Sequence, residues 1–235
     1  MREALCVIPA RGGSKRIKNK NIRPFLGRPM IEYAIETALE SGCFKTVLVS
    51  TDREDIATIA KNCGALVPEL RPAELSGDYV GVMAVAQYHY QAQIMTGQRY
   101  NAIGCVYATA PLLTADTLRS AYQALISSDA DFCLSVTHFA YPIQRALAKN
   151  RDGHLQMREP DALNLRSQDS ETFFHDAAQF IWAKPAPLVK GERPMSSPRC
   201  LPFEIPCYQV QDIDTEDDWR RAELLYQMLN TTETA

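Results

Sequence analysis

The chain has 235 residues, 46% of them apolar and 23% charged, and a formal net charge of −3. That balance fits a single globular domain. It argues against a general nucleic-acid or membrane-surface binder, which carries a basic excess, and no run approaches the roughly 18 apolar residues of a membrane span.

The chain opens with a short strand-like run, Leu5–Ile8, too short before charge returns to be a secretory signal, so a cytoplasmic location is expected. Ile31, Ala34, Ile35, Ala38 and Leu39 then share one helical face, with Gly42 as a stop. Val47–Ser50 reads as a strand ending in Thr51-Asp52, residues 53–62 as a helix stopped near Gly64, and Ala65–Val67 as a short strand. A helix over 80–95, a strand over Ile103–Tyr107, a helix over 115–126 and a strand over Phe132–Val136 continue the alternation. From 138 to 175 the rhythm breaks into a polar, Pro- and Gly-containing stretch, read as a hairpin-containing excursion or a long loop. Strands are expected at 179–183 and 204–210, then a closing helix over 218–229, with Thr215 as N-cap and Asp218 completing a near capping box. The tail, 230–235, is expected to fray. This βαβ series predicts an α/β fold: one domain over 1–235 with a mostly parallel sheet, helices on both faces, and ligands beyond the strands' carboxyl ends.

Seven cysteines, at 6, 43, 63, 105, 133, 200 and 207, form no C-x-x-C pair. They read as buried reduced thiols, and no Cys/His cluster has zinc-ligand spacing.

The stretch that carries chemistry is "IPARGGSKRIKNKN". Six basic residues and no acid lie between Arg11 and Arg23, directly after a strand and behind Gly12 and Gly13. Glycine lets backbone N–H groups approach oxygens, and the cations offset charge, so the loop reads as a polyphosphate seat. Neither Walker A nor G-x-G-x-x-G is present. A triphosphate calls for a divalent cation and carboxylates, and Asp212 and Asp214 in "DIDTEDD" project to one side if that segment is extended. The same acids equally read as ordinary enrichment of a helix N-terminus.

"IPARGGSKRIKNKN", "VSTD" (49–52), "RPAEL" (71–75) and "DIDTEDD" (212–218), in that order and spacing, closely resemble the sugar-acid cytidylyltransferases. "YATAPLL" (107–113), "YPIQRAL" (141–147) and "FFHDAAQFIWA" (from 173) are similar to the pseudaminic acid subgroup, which serves bacterial surface and flagellar glycans. Ala178 stands where that subgroup commonly has Gly.

The resemblance implies a Rossmann-like nucleotidyltransferase fold, and a homodimer in which the 138–175 excursion reaches toward the partner. It implies transfer of CMP from CTP to a nonulosonic acid, with Mg²⁺ as cofactor and pyrophosphate released. It assigns Arg11, Lys15 and Lys20 to the triphosphate, and Ala10, Gly12, Asn21, Arg71 and Ser76 to the nucleotide. Asp212 and Asp214 become the metal pair, with Asp214 also the candidate base. Gln144, Arg166, His175 and Gln179 fall at the sugar acid, Gln144 where sialic acid enzymes have Lys. Sialic acid, legionaminic acid and 3-deoxy-manno-octulosonate are alternative acceptors, and a non-catalytic nucleotide-binding protein is the alternative of another class.

Overall fold

In this computed structural model residues 3–164, 166, 168 and 170–231 are described. Strand β1 (Ala4–Pro9) leads through the basic loop to the two-residue strands β2 (Pro24–Phe25) and β3 (Arg28–Pro29), then helix α1 (Met30–Ser41), strand β4 (Phe44–Ser50) and helix α2 (Glu54–Asn62). Helix α3 (Val82–Met95), strand β5 (Ala102–Val106), helix α4 (Ala115–Ile126) and strand β6 (Phe132–His138) follow. The excursion holds an antiparallel hairpin, β7 (Leu147–Lys149) and β8 (Leu155–Met157). Strand β9 (Phe174–Ala183), the short helix α5 (Pro185–Val189), strand β10 (Cys200–Glu204) and helix α6 (Glu216–Thr231) complete the chain. The tail expected to fray lies, from 232 on, outside the described residues.

The main sheet has the order β10-β6-β9-β5-β1-β4. β1 runs parallel to both β4 and β5, and β10 parallel to β6, while β9 is antiparallel to β5 and β6. The sheet is thus mixed and mostly parallel. Alternation along β1 divides the core: Cys6 and Ile8 pack with α1, α2 and α4, and Leu5 and Val7 with α3 and α5. Trp182 and Trp219 are both core residues. A third cluster joins Ile17 of the basic loop to Phe25, Tyr33, Ile213 and Trp219, with Phe25 edge-on to Tyr33 and Trp219.

Two expected strands move. Residues 65–67 contribute only a single bridge, Leu66 to Leu48. The last strand lies at 200–204 rather than 204–210, because Pro206 removes a ladder donor and the chain then turns through Cys207–Gln209. Pro202 is tolerated within β10 because this strand is the sheet's edge. The Thr215 cap forms as expected, with Asp218 N donating to Thr215 Oγ1 at 3.2 Å and Thr215 N to Asp218 Oδ2 at 2.8 Å.

The register of β6 against β9 breaks: Leu134 pairs with Ile181, but Val136 pairs with Asp176. The extra residues of β9 bulge there, and the Ser135 hydroxyl fills the gap by donating to Phe180 O at 2.9 Å. Ala178 sits in this bulge at φ +51°, the left-handed region, and its N–H donates to Asp176 Oδ1 at 2.8 Å. A methyl-bearing residue is strained in that region and glycine is not. Ala178→Gly is expected to raise unfolding stability by about 0.5–1 kcal/mol, read as a higher urea midpoint at unchanged slope.

Candidate active site

The basic loop has no regular secondary structure, so its shape rests on pins. Ala10 N donates to Ser50 O at 2.8 Å and Gly12 N to Asp52 Oδ1 at 2.7 Å. Asn21 Nδ2 donates to Arg11 O at 2.9 Å, and Arg53 Nη1 to Asn19 Oδ1 at 2.8 Å. Ile17 is buried in the third core cluster. A Cβ at Gly12 would lie 1.9 Å from Arg53 Cδ, so any larger residue there would have to displace the Arg53 side chain that holds Asn19. With the backbone held, Arg11, Lys15, Arg16 and Lys20 line a cavity of about 400 Å³ together with Asn21, Asp78, Tyr107 and Asp214.

The acid segment reaches this cavity from the far end of the chain. Lys20 Nζ donates to Ile213 O at 2.6 Å and lies 3.5 Å from Asp214 Oδ1, while Arg16 Nη2 pairs with the same oxygen at 2.7 Å. Ile213 points into the core, so Asp212 and Asp214 flank a buried residue, although the segment is not a ladder strand. Desolvation, and then the charge of Asp214, push the Asp212 carboxyl above its ordinary pKa even though the residue keeps an exposed edge. Asp218, by contrast, serves the helix cap. Among the described residues no group of three or more His, Cys, Asp or Glu is arranged to hold a metal.

Arg71 is buried, its N–H donating to Thr51 O at 2.7 Å. Its Nε and Nη2 have no hydrogen-bond partner among the described residues, and burial lowers its pKa. Buried unpartnered donors of this kind call for an acceptor. Ser76 instead donates to Pro72 O at 2.9 Å, inside its own turn.

A second cavity, of about 650 Å³, lies on the other side of Tyr107. Its walls are largely apolar: Val82 and Met83 of α3, Leu134, Ile181, Leu188 and Met195, with Asp176, Glu192 and Arg193 as charged members. Burial raises the pKa of Asp176 and of Tyr107.

The four expected sugar-acid residues do not line either cavity within this chain. Gln144 donates from Nε2 to Glu171 O at 2.9 Å, inside the excursion. Arg166 is exposed on the excursion. His175 is exposed, donates from Nδ1 to Asp176 O at 3.0 Å, and leans on Phe139. Gln179 is buried and donates to Gln209 O at 2.6 Å, while its own carbonyl holds Tyr107 N at 2.9 Å. Sequence reasoning missed Asp78, Asp176 and His89. For Asp78 a signal existed, since it follows "RPAEL" by three residues; the other two become visible only through burial.

His89 is buried and its Nε2 pairs with Ser50 Oγ at 2.7 Å, at the residue whose carbonyl pins Ala10. Desolvation, then Arg71, depress its pKa to about 4, opposed weakly by Glu69. The unfolded chain therefore binds a proton below its ordinary value of about 6.5 that the folded chain refuses. The stabilising contribution is complete above about pH 6.5 and lost as pH falls toward about 4, by about 3 kcal/mol in all. Denaturant unfolding of the wild type and His89→Gln between pH 7 and 4 is expected to show a gap that closes with acidification.

A family model described as cytidylyltransferase matches residues 5–190. The pseudaminic acid cytidylyltransferase of Campylobacter jejuni is 41% identical over 227 residues, covering 95% of this chain and 96% of that protein. A pseudaminic acid cytidylyltransferase and UDP-2,4-diacetamido-2,4,6-trideoxy-beta-L-altropyranose hydrolase of Helicobacter pylori is 33% identical over 89% of this chain, which spans 40% of that longer protein. Among solved structures, a CMP:2-keto-3-deoxy-manno-octonic acid synthetase complexed with CTP superimposes with a TM-score of 0.69 at 16% identity. It covers 97% of this chain and 99% of its own.

Proposed function

The chain belongs to the cytidylyltransferase family, and on that premise we propose that it transfers CMP from CTP to the anomeric hydroxyl of a nonulosonic acid, pseudaminic acid first, releasing pyrophosphate. The observation that carries this reading is the cationic cavity, lined by four loop cations, two of which, Arg16 and Lys20, meet Asp214 from the other end of the chain. Both substrates are anions. Arg11, Lys15 and Lys20 offset their repulsion and stabilise charge that builds on the departing pyrophosphate. Backbone at Ala10 and Gly12, with Asn21 and the acceptor-seeking Arg71, holds the base and nucleoside. No covalent intermediate is needed, so positioning supplies much of the rate.

The acceptor sits in the largely apolar cavity beyond Tyr107, whose walls suit the methyl groups of a deoxygenated, N-acylated sugar acid. Asp214 takes the proton from the attacking hydroxyl. Asp212 and Asp214 fit a Mg²⁺ site by their chemistry: they are two oxygen-donor carboxylates, and the charge of Asp214 adds to burial in raising the pKa of Asp212. Mg²⁺ bound there supplies positive charge against the phosphates.

The excursion presents Phe139, Tyr141, Ile143, Phe173 and Phe174 to solvent. An exposed apolar patch of this kind supports a homodimer, with Gln144, Arg166 and His175 turned toward the partner's acceptor rather than their own. Sedimentation velocity is expected to give a dimer, and Tyr141→Asp with Phe173→Asp a monomer of lower turnover; a wild-type monomer with full activity sinks this part.

The central test is pyrophosphate release from CTP and Mg²⁺ with pseudaminic, sialic or legionaminic acid or 3-deoxy-manno-octulosonate. Release is expected with pseudaminic acid, with the CMP-sugar confirmed by mass. Release only with another acid retains the transferase and replaces the acceptor; no release despite CTP binding leaves a nucleotide-binding protein. Asp214→Asn is expected to lower kcat by about 10²-fold or more, and Lys20→Ala to lower kcat rather than only raise the KM for CTP.

A further inference from the structure

Asp78 lies on the strap between the turn Ala73–Leu75 and α3, outside every motif that points to the nucleotide. Its two carboxylate oxygens take one loop cation each: Arg11 Nη1 donates to Oδ1 at 2.6 Å, and Lys15 Nζ to Oδ2 at 2.5 Å. The two cations are thereby aimed at a single point with the geometry of two oxygens on one anionic centre. Lys15, then Arg11, lower the pKa of Asp78, as expected for a carboxylate serving as their counterion. Val80 packs against the core and anchors the strap, but Asp78 itself is exposed and, among the described residues, held only by its two cations. Val80 N reaches Gly77 O only at 3.3 Å, and Tyr79, next to Asp78, is fully exposed.

Exposed ion pairs of this kind are weak, and a phosphate group offers more charge and more acceptor oxygens than a carboxylate. A carboxylate left in place would face incoming phosphate oxygens as a like charge across the same two cations. Without it, Arg11 and Lys15 would repel one another, with buried Arg71 coupled to Arg11 behind them.

We propose that Asp78 is a positioning residue of the nucleotide step, an internal counter-anion that keeps Arg11 and Lys15 converged on one seat and is displaced from it by the phosphates of the incoming nucleotide. This rests on the reading that those cations receive the triphosphate of CTP. The strap also carries Tyr79 and Gly81 to the wall of the second cavity, so displacement of Asp78 by nucleotide is transmitted to the acceptor side.

The test is calorimetric titration of the full-length wild type, Asp78→Asn and Asp78→Glu with CTP and with cytidine, at two salt concentrations. Asp78→Asn loses both the hold on the cations and the competition with phosphate; because the triphosphate itself gathers the two cations, lost competition dominates, and CTP is expected to bind about three- to tenfold more tightly, the range for freeing exposed ion pairs, with a steeper salt dependence. Cytidine, which carries no phosphate, is expected to bind both proteins equally, and Asp78→Glu to stay near wild type. In a Tyr79→Trp background, CTP is expected to shift the tryptophan emission, and Asp78→Asn to produce part of that shift before CTP is added. CTP affinity unchanged or weakened in Asp78→Asn, with CTP binding by the wild type intact, overturns the role of Asp78 alone. No CTP binding by any of the proteins overturns the nucleotide reading and this proposal together.

Discussion

The structure depends on holding a cluster of like charges at the end of one buried strand. Four cations line a cavity of about 400 Å³, and each would leave the others if the backbone were free to follow. No helix organises them. The loop is fixed instead at points where charge plays little part: Gly12 under the stem of Arg53, Ile17 in an aromatic cluster, and Asn21 on the carbonyl of Arg11. Two acids then balance the cations from opposite sides. Asp214 takes Arg16 and Lys20, and Asp78 takes Arg11 and Lys15. The seat is therefore preformed, and most of the cost of assembling it is met when the chain folds.

The sheet supplies the second requirement, which is to place a different kind of cavity next to the first. β9 runs antiparallel between β5 and β6, and its bulge carries Asp176 out of register. Gln179, at the same irregularity, accepts from Tyr107 N and reaches Gln209 with its side chain. The bulge thus fixes the wall between the cavities and tethers the segment that leads to Asp212. The positive φ of Ala178 is the local strain that this shape requires.

What was legible in the sequence follows from how local the signals are. Alternation, helix faces and stops gave the strand and helix order because each is written within about ten residues. The last strand was displaced by a few positions because β10 is an edge strand containing Pro202, which reads as a break rather than a ladder. The loop cations were legible because they are contiguous. Their partnership with Asp214 spans 194 residues for Lys20, and only the motif order hinted at it. The expected sugar residues raise a different question. Gln144, Arg166 and His175 lie on or beside the excursion, and no periodicity tells whether an excursion folds over its own chain or faces away from it. Asp78 follows "RPAEL" by three residues but lies outside the motif itself, and His89 and Asp176 are marked by burial, which is a property of the fold.

The two cavities also explain why one half of the proposed reaction is easier to read than the other. Charge against the phosphates comes from a compact motif, and any acceptor activated by CTP needs the same countercharge. The cavity proposed for the acceptor is mostly apolar, with Asp176, Glu192 and Arg193 its charged members, and shape would discriminate there only modestly, since one methyl group in an apolar pocket is worth about 1–3 kcal/mol. That shape is made by α3, β6, β9 and residues 188–196 together, with β6 and β9 contributing only Leu134, Asp176 and Ile181. Small substitutions scattered over four elements can therefore change the acceptor while the nucleotide seat is untouched. Among the described residues Tyr107 is the one side chain lining both cavities, so a substitution there is felt at both. Burial raises the pKa of this half-buried phenol, so it presents a neutral hydroxyl to both cavities.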